Sequence, residues 1–428
     1  MSWNVTVMED RMLTQPESSV TALPDIMVLP DKSQEAWRYT DLRRLVPPEA
    51  LALLPETEAP DHGDYYFLPD MAAVRLLFIN GIFQPALSQK ERLPDGVTFD
   101  VINDAAKENE EIPVPDGAVL NAINKKGAQS TARIVIEAGS TPEKPLHIIH
   151  ANHGATPGAC HTRLTIRLGA GARATILETR TGEGAAPLFS TQMTALTLDS
   201  DARLDHVILT EGQAGMMHVD NRHVTVESDA HYKATVLALG GRVVRGESHV
   251  RYAGSGGQVN VTIAALACED ETTDHVVTMN HDVPDCTGEV MARTVVGRKG
   301  TGVFQGRVHV SEGAQRVESR QTTRALLLSP DGVMNAKPEL DILADDVQCA
   351  HGSVIGELDE EALYYLRSRG ISADEAQRLL VGAFLSDVEA TITHEEICGE
   401  VWSRVMGRLD QMIDQIGQTD RTTGEVFS

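Results

Sequence analysis

The sequence predicts a mainly β protein: a right-handed parallel β-helix core flanked by N-terminal and C-terminal α-helical subdomains. Three observations predict it. Between about residues 131 and 350, short strands rich in Val, Thr, Ile and Leu alternate with turn residues. A strand–turn–strand motif recurs there as IRLGAGARATILET (166–179), LTLDSDARLDHVIL (196–209), VTVESDAHYKATVL (224–237), VRYAGSGGQVNVTI (250–263) and VHVSEGAQRVESRQ (308–321). The first four copies begin 30, 28 and 26 residues apart. That is too short for a four-stranded propeller blade and suits one solenoid coil of two or three short strands. A β-sandwich is the alternative that the pattern alone admits.

Three regions follow. Residues 1–130 read as a mainly helical N-terminal subdomain with a short strand pair, 131–351 as the β-helix, and 352–428 as a helical subdomain. In the first, DKSQEAWRYTDLRRLVPPEALALL places Trp37, Asp41 and Leu45 about one helical turn apart, and Pro47-Pro48 ends the run. VRLLFINGIF reads as two strands joined at Asn80-Gly81. GAVLNAINKKG reads as a short helix stopped by Gly127. In the last region Asp359 is placed to cap one helix and Gly370 to end it. Ser372 and Glu375 form a capping-box signature for the next, with Leu379, Leu380, Ala383, Phe384 and Val388 as its expected apolar stripe. EEICGEVWSRVMGRLDQMIDQI gives a final amphipathic helix. Such helices pack as core or offer a docking platform.

Composition narrows the function. The formal net charge is −25, a field that repels a phosphate backbone, so nucleic acid is not an expected partner. Aromatic residues make up 4%, few for stacking on bases or sugars. No run of about 18 apolar residues occurs, so no membrane insertion is expected. The opening segment is polar and acidic, unlike an export signal. The five cysteines are widely spaced and contain no CxxC, which argues against a disulfide framework and for a cytoplasmic location.

The chemistry centres on Cys349 and His351 in DILADDVQCAHGSV, which reads as a last strand. Residues i and i+2 of a strand share a face, so thiol and imidazole stand side by side. Both ligate borderline metals and iron clusters, yet two ligands do not complete a site. Any cluster is then shared with another chain or transient; the alternative is a small buried thiol beside a hydrogen-bonded imidazole. His147, His150 and His153 fall in a strand and turn, where their spacing does not gather them on one face. His275, His281 and Cys286 read as a surface loop, with a cluster as the alternative. Asp270 and Asp274 read as a solvated acidic loop rather than a glycosidase pair. GSGG at 254–257 reads as a turn. No P-loop, GxSxG or HExxH motif occurs.

Two stretches resemble a known family. EAWRYTDLRRL (35–45) resembles the N-terminal signature of the SufB/SufD family. NAKPELDILADDVQCAHGSVIGELDEEALYYLRSRGISADEAQRLLVGAFLSDV (335–388) closely resembles its C-terminal one. QTTRALLLS (321–329) lacks the scaffold cysteine of SufB-like chains, and CAHG stands where those carry Glu-His-Glu, so the resemblance is to the SufD branch. It implies a non-catalytic scaffold subunit of iron–sulfur cluster assembly that pairs with SufB through the β-helices. The SufC ATPase would dock on the C-terminal helices and supply the ATPase activity, with no nucleotide bound directly by this chain. His351 is implied as an interfacial ligand of a transient cluster shared with SufB, and Cys349 as a weaker candidate. A homodimer is expected of the isolated chain; the resemblance does not decide whether the complex binds a flavin.

Overall fold

The structure, a computed structural model, describes residues 29–54, 72–102, 119–153, 156–183 and 186–423. Nineteen strands are seen among them. The first four are β1 (Val74–Ile79), β2 (Ile82–Phe83), β3 (Val97–Ile102) and β4 (Ser130–Ile136). Next come β5 (Leu146–His153), β6 (Gly158–Leu168), β7 (Arg173–Glu183), β8 (Leu188–Leu198) and β9 (Arg203–Gly212). They are followed by β10 (Met216–Val226), β11 (His231–Ala238), β12 (Val243–Tyr252), β13 (Gln258–Ala267) and β14 (Thr272–His281). The last are β15 (Thr287–Val296), β16 (Thr301–Val310), β17 (Val317–Leu327), β18 (Val333–Ile342) and β19 (Val347–Glu357).

From β4 onward each coil gives one strand to each of two sheets, and the strands of each sheet stack in parallel. The sheets have ten and nine strands. Side chains alternate across each strand, so one set lines the lumen and the other the outer faces. The lumen holds the largest apolar cluster, from Val74 and Ile134 at one end to Val310 and Val317 at the other.

The repeat spacing is the pairing register. Ile166 pairs with Leu196, Leu196 with Val224 and Val224 with Val250, the first residues of the four leading motif copies. Val250 then pairs with Met279, and Met279 with Val308. A further copy therefore starts at Met279, disguised because its turn contains Pro284. Each copy places one residue of this turn in the left-handed region: Gly171, Asp201, Asp229, Gly256, Asp285 and Arg316. Gly and Asp tolerate that conformation better than most residues, which explains why small and acidic residues recur there.

The two ends differ. At the first, β1 pairs in parallel with β5, while β2 folds back antiparallel on β1 through Asn80 and Gly81, both at positive φ. β3 lies antiparallel to β4. The rings of Phe78, Phe83 and Phe99 pack together over this end, with centroids 4.9–6.4 Å apart. The sheets thus begin before residue 130 and continue past 351 along β19. The shift in composition at the expected boundaries does not interrupt strand pairing. At the far end, β18 and β19 terminate the two sheets.

The N-terminal segment corrects one expectation. Residues 35–51 form 3-10 turns at Glu35–Trp37 and Pro48–Leu51 and a short α1 (Leu42–Leu45), not one helix. Asp41 is extended and its side chain accepts from the Arg44 N–H, so it starts a new turn rather than continuing an old one. Trp37, Leu42, Val46, Ala50 and Leu51 pack against Phe189, Met193, Met217, Val219 and Val243 on the outer face of the nine-stranded sheet. The anchor is Arg245. Its guanidinium lies 3.8 Å from the Trp37 ring centroid, donates to the Ala36 carbonyl at 2.8 Å and pairs with Glu247 at 2.7 Å and with Asp274. Thr40 also donates to Asp274, at 2.5 Å. Helix α2 (Val119–Gly127) ends at Gly127 and packs on β6 and β8, where Asn124 donates to the Thr162 and Thr191 carbonyls.

After β19 come α3 (Glu360–Ser368), α4 (Ala373–Glu389) and α5 (Glu395–Thr423). Asp359 accepts from the Glu361 and Ala362 N–H groups, Gly370 has φ +87°, and Ser372 accepts from the Glu375 N–H. In α5, Ile397, Val401, Val405, Leu409, Met412 and Ile413 pack with Leu177, Leu209, Leu237, Leu266 and Val295 on the outer face of the ten-stranded sheet. In α4 the buried residues are Ala376, Val381, Leu385 and Val388, while Leu379 and Ala383 are exposed. The expected stripe is rotated, because the helix turns Val381 and Leu385 toward the sheet and α5.

Arg245 is fully buried and balances a buried Asp274. Arg245→Met should therefore cost about 3–5 kcal/mol, because it strands a buried carboxylate. Denaturant unfolding checks this, together with faster proteolysis of the N-terminal segment; an unchanged midpoint would show that this anchor is dispensable.

Candidate functional site

The open end is built by β17 and β19. In β17, Val317, Ser319, Gln321 and Thr323 are buried while Glu318, Arg320 and Arg324 are exposed, so the odd-numbered residues line the lumen. Register sets Cys349 over Ser319, His351 over Gln321 and Ser353 over Thr323. In-register residues of parallel strands face the same way, so Cys349, His351 and Ser353 are the last lumen-facing row. One coil earlier the positions paired with Gln321 and Thr323 are Val290 and Ala292, both apolar. These two lumen positions thus change from apolar to polar between β15 and β17. Ser319 Oγ, Gln321 Oε1 and Thr323 Oγ1 are buried without hydrogen-bond partners among the described residues.

Cys349 is half-buried and touches the lumen core, whereas His351 is exposed at the rim. Burial pushes the Cys349 thiol up, and the Ser319 N–H offsets part of that. DILADDVQCAHGSV is two strands rather than one: β18 ends at Ile342 and β19 starts at Val347. Cys349 and His351 nevertheless share one face of one strand, about 7 Å apart along the backbone. Among the described residues, no group of three or more His, Cys, Asp or Glu side chains could hold a metal ion. The pair presents one thiol and one imidazole on the same face of the last strand.

The other histidines are placed differently. His147 faces the outside of its sheet and His150 the lumen. The 275–286 stretch is not a surface loop: His275 and His281 are buried on β14, and Cys286 is buried just before β15. Six residue steps along the strand separate the two histidines by roughly 20 Å, so they form no cluster. Asp270 lies exposed in a turn while Asp274 is buried against Arg245 and Thr40, so they are no acid pair. GSGG at 254–257 is the turn between β12 and β13.

A buried polar network in the lumen was not anticipated. Glu178 accepts from His206 at 2.9 Å, Gln192 at 2.8 Å and Arg180 at 2.6 Å. Arg180 lies 3.4 Å from Asp220, which pairs with Arg222 at 2.7 Å. Arg222 donates to Ser248 at 3.2 Å, and Ser190 meets His218 at 2.7 Å. Two cations balance two anions, which is what burial of four charges requires. Burial alone would raise Glu178, but the Arg180 charge and the His206 hydrogen bond hold it well below the usual carboxylate range. The only signal in sequence was polar residues at lumen positions of consecutive copies, visible once the register is known.

The class that the fold defines is a two-sheet parallel β-solenoid with helices on its outer face and Cys349 and His351 on its last strand. Residues 148–384 match the family model described as SUF system FeS cluster assembly, SufBD core domain, and residues 12–115 match that of the SufBD protein N-terminal region. The chain belongs to the SufBD family of iron–sulfur cluster assembly proteins. It is 28% identical to iron-sulfur cluster assembly protein SufD of Escherichia coli, over 89% of each chain. It is 26% identical to a SufBD family protein of Synechocystis, over 89% of this chain and 87% of that one. It is also 26% identical to Protein ABCI7, chloroplastic, of Arabidopsis thaliana, over 89% of this chain and 82% of the relative. No helix among the described residues is long and apolar enough to cross a membrane.

The buried imidazoles set a pH dependence. Burial lowers His147, His150 and His275 to about 3, and His161, His223 and His281 to about 4. Between those values and about 6.5, the unfolded chain binds protons that the folded chain does not, so stability falls as pH falls. Each such group contributes about 1.4 kcal/mol per pH unit across this window. The melting temperature should drop steeply from pH 6.5 to 4.5; a flat profile there would mean that the histidines protonate in the folded state.

Proposed function

We propose that this chain is a SufD-type scaffold subunit that pairs with a SufB-like chain through its open solenoid end, and that His351 helps hold a nascent iron–sulfur cluster at that interface. The observation that carries this reading is the unfinished last coil. β18 and β19 each leave one edge without a partner strand among the described residues; the β19 side chains are mostly exposed and those of β18 mostly half-buried. Val333, Ile342, Leu343, Val354 (60% exposed) and Ile355 are exposed apolar side chains on or next to these two strands. Unprotected strand edges next to apolar side chains are templates for another chain. In isolation, two copies would meet through the same strands.

The cluster is cargo in this reading. His351 offers an imidazole nitrogen and Cys349 a thiol, and the remaining ligands come from the partner. The polar Ser319–Gln321–Thr323 row lines the floor of the site with hydrogen-bonding groups. The SufC ATPase would dock on the C-terminal helices, where α3 has no buried residue and Tyr364 (74% exposed), Tyr365 and Leu379 are bare. Nucleotide-driven movement of that ATPase would strain the interface between the two solenoids, provided that its contacts differ between the two states.

Co-expression with SufB-like and SufC-like proteins, tagging this chain alone, tests the reading. The complex should co-purify with visible cluster absorbance, and His351→Ala should keep the complex but lose most of that absorbance. Retained absorbance would leave a purely structural adaptor. Val354→Glu with Ile355→Glu alters only exposed positions and should abolish recovery of the SufB-like chain; undiminished recovery would place the interface elsewhere.

A further inference from the structure

The outer corner of the solenoid nearest the α4–α5 loop holds a groove of about 400 Å³ with inverted charge. Its walls include Arg173, Arg203, His231 and Lys233, and its one lining carboxylate is Asp205. The chain as a whole carries a formal net charge of −25, so a cationic hollow here runs against the general field. Its position follows from the register: Arg173 of β7 pairs with Arg203 of β9, which pairs with His231 of β11. Parallel pairing stacks these side chains about 4.8 Å apart on one face. Like charges placed directly opposite on neighbouring strands destabilise a sheet.

Little in the groove relieves that repulsion. Arg203 reaches Asp201 at 3.7 Å, with both side chains largely exposed. Asp205, in register beside Lys233, offsets part of the repulsion and accepts from Thr393 of the α4–α5 loop at 2.9 Å. His231 Nε2 is 3.1 Å from the Asn260 amide oxygen, so it donates there. Arg173 and Lys233 have no ion pair with any described residue. Thr141, Thr175 and Thr393 add hydroxyls to the lining. Three cations thus span strands β7, β9 and β11, about 10 Å across. Planar guanidinium forks and an ammonium at that spacing suit the oxygens of linked phosphoryl groups.

We propose that this groove binds a small anion bearing two or more phosphoryl groups, through Arg173, Arg203 and Lys233. The shared chemistry is the oligophosphate, carried either by a free polyphosphate anion or by a nucleotide. The site is separate from the open end and does not depend on what pairs there.

Calorimetric titration of the full-length chain with inorganic tripolyphosphate at low salt tests the proposal. Saturable binding is expected, weakening as salt rises. Arg173→Gln and Lys233→Gln should each weaken it about tenfold or more, the effect of losing one charge-assisted contact. Arg173 is exposed and Lys233 half-buried, so unchanged melting temperatures would verify the fold, and Arg316→Gln, outside the groove, should bind as the parent does. Displacement of tripolyphosphate by ATP would assign a nucleotide source; failure of ATP to displace it would assign a free polyphosphate. Absence of saturable binding, or equal binding in the two groove variants, would overturn the site.

Discussion

Parallel coils bury their apolar side chains only against the next coil, and everything else in this molecule answers to that constraint. A stack of coils has two ends, and each leaves a row of strand edges and lumen side chains uncovered. Here the first end is closed by antiparallel strands β2 and β3 and by Phe78, Phe83 and Phe99. The outer faces are covered by the Trp37 segment on one sheet and by α4 and α5 on the other. Only the far end, at β18 and β19, is left without cover among the described residues. Cys349 and His351 sit on that last strand.

Polar chemistry inside the stack follows a gradient of use. The Glu178–Arg180–Asp220–Arg222 network is charge-balanced and deeply buried, so removal of one member would strand another. Arg245 plays the same part outside the sheet, locking the N-terminal signature onto the solenoid through Trp37 and Asp274. The last-rung polar groups are different. Ser319, Gln321 and Thr323 carry no ion pairs and lie in register beneath half-buried Cys349, exposed His351 and exposed Ser353.

Much of this was legible in the sequence. The spacings of 30, 28 and 26 residues are the strand registers themselves, because each motif copy is one coil. The caps at Asp359 and Ser372 and the stop at Gly370 depend on neighbouring residues alone, and they lie where the local chemistry places them. Features set by distant partners were not legible. Trp37 ends a 3-10 turn against Arg245, more than 200 residues away, and the α4 stripe is turned by a sheet that its own periodicity does not encode. Glu178 and His206 touch because they are one coil apart, so their pairing needs the register. The i, i+2 spacing of Cys349 and His351 revealed their shared face, but not the polar floor supplied by the preceding coil.

The central claim is that the open end is an interface, and amide hydrogen exchange tests it most directly. Exchange would be compared between the chain alone, diluted until monomeric, and the chain bound to a SufB-like partner. Residues 333–342 and 347–357 should exchange readily when free and become the most strongly protected segments in the complex. If those amides exchange equally in both states while protection gathers elsewhere, the open end is not where the partner binds.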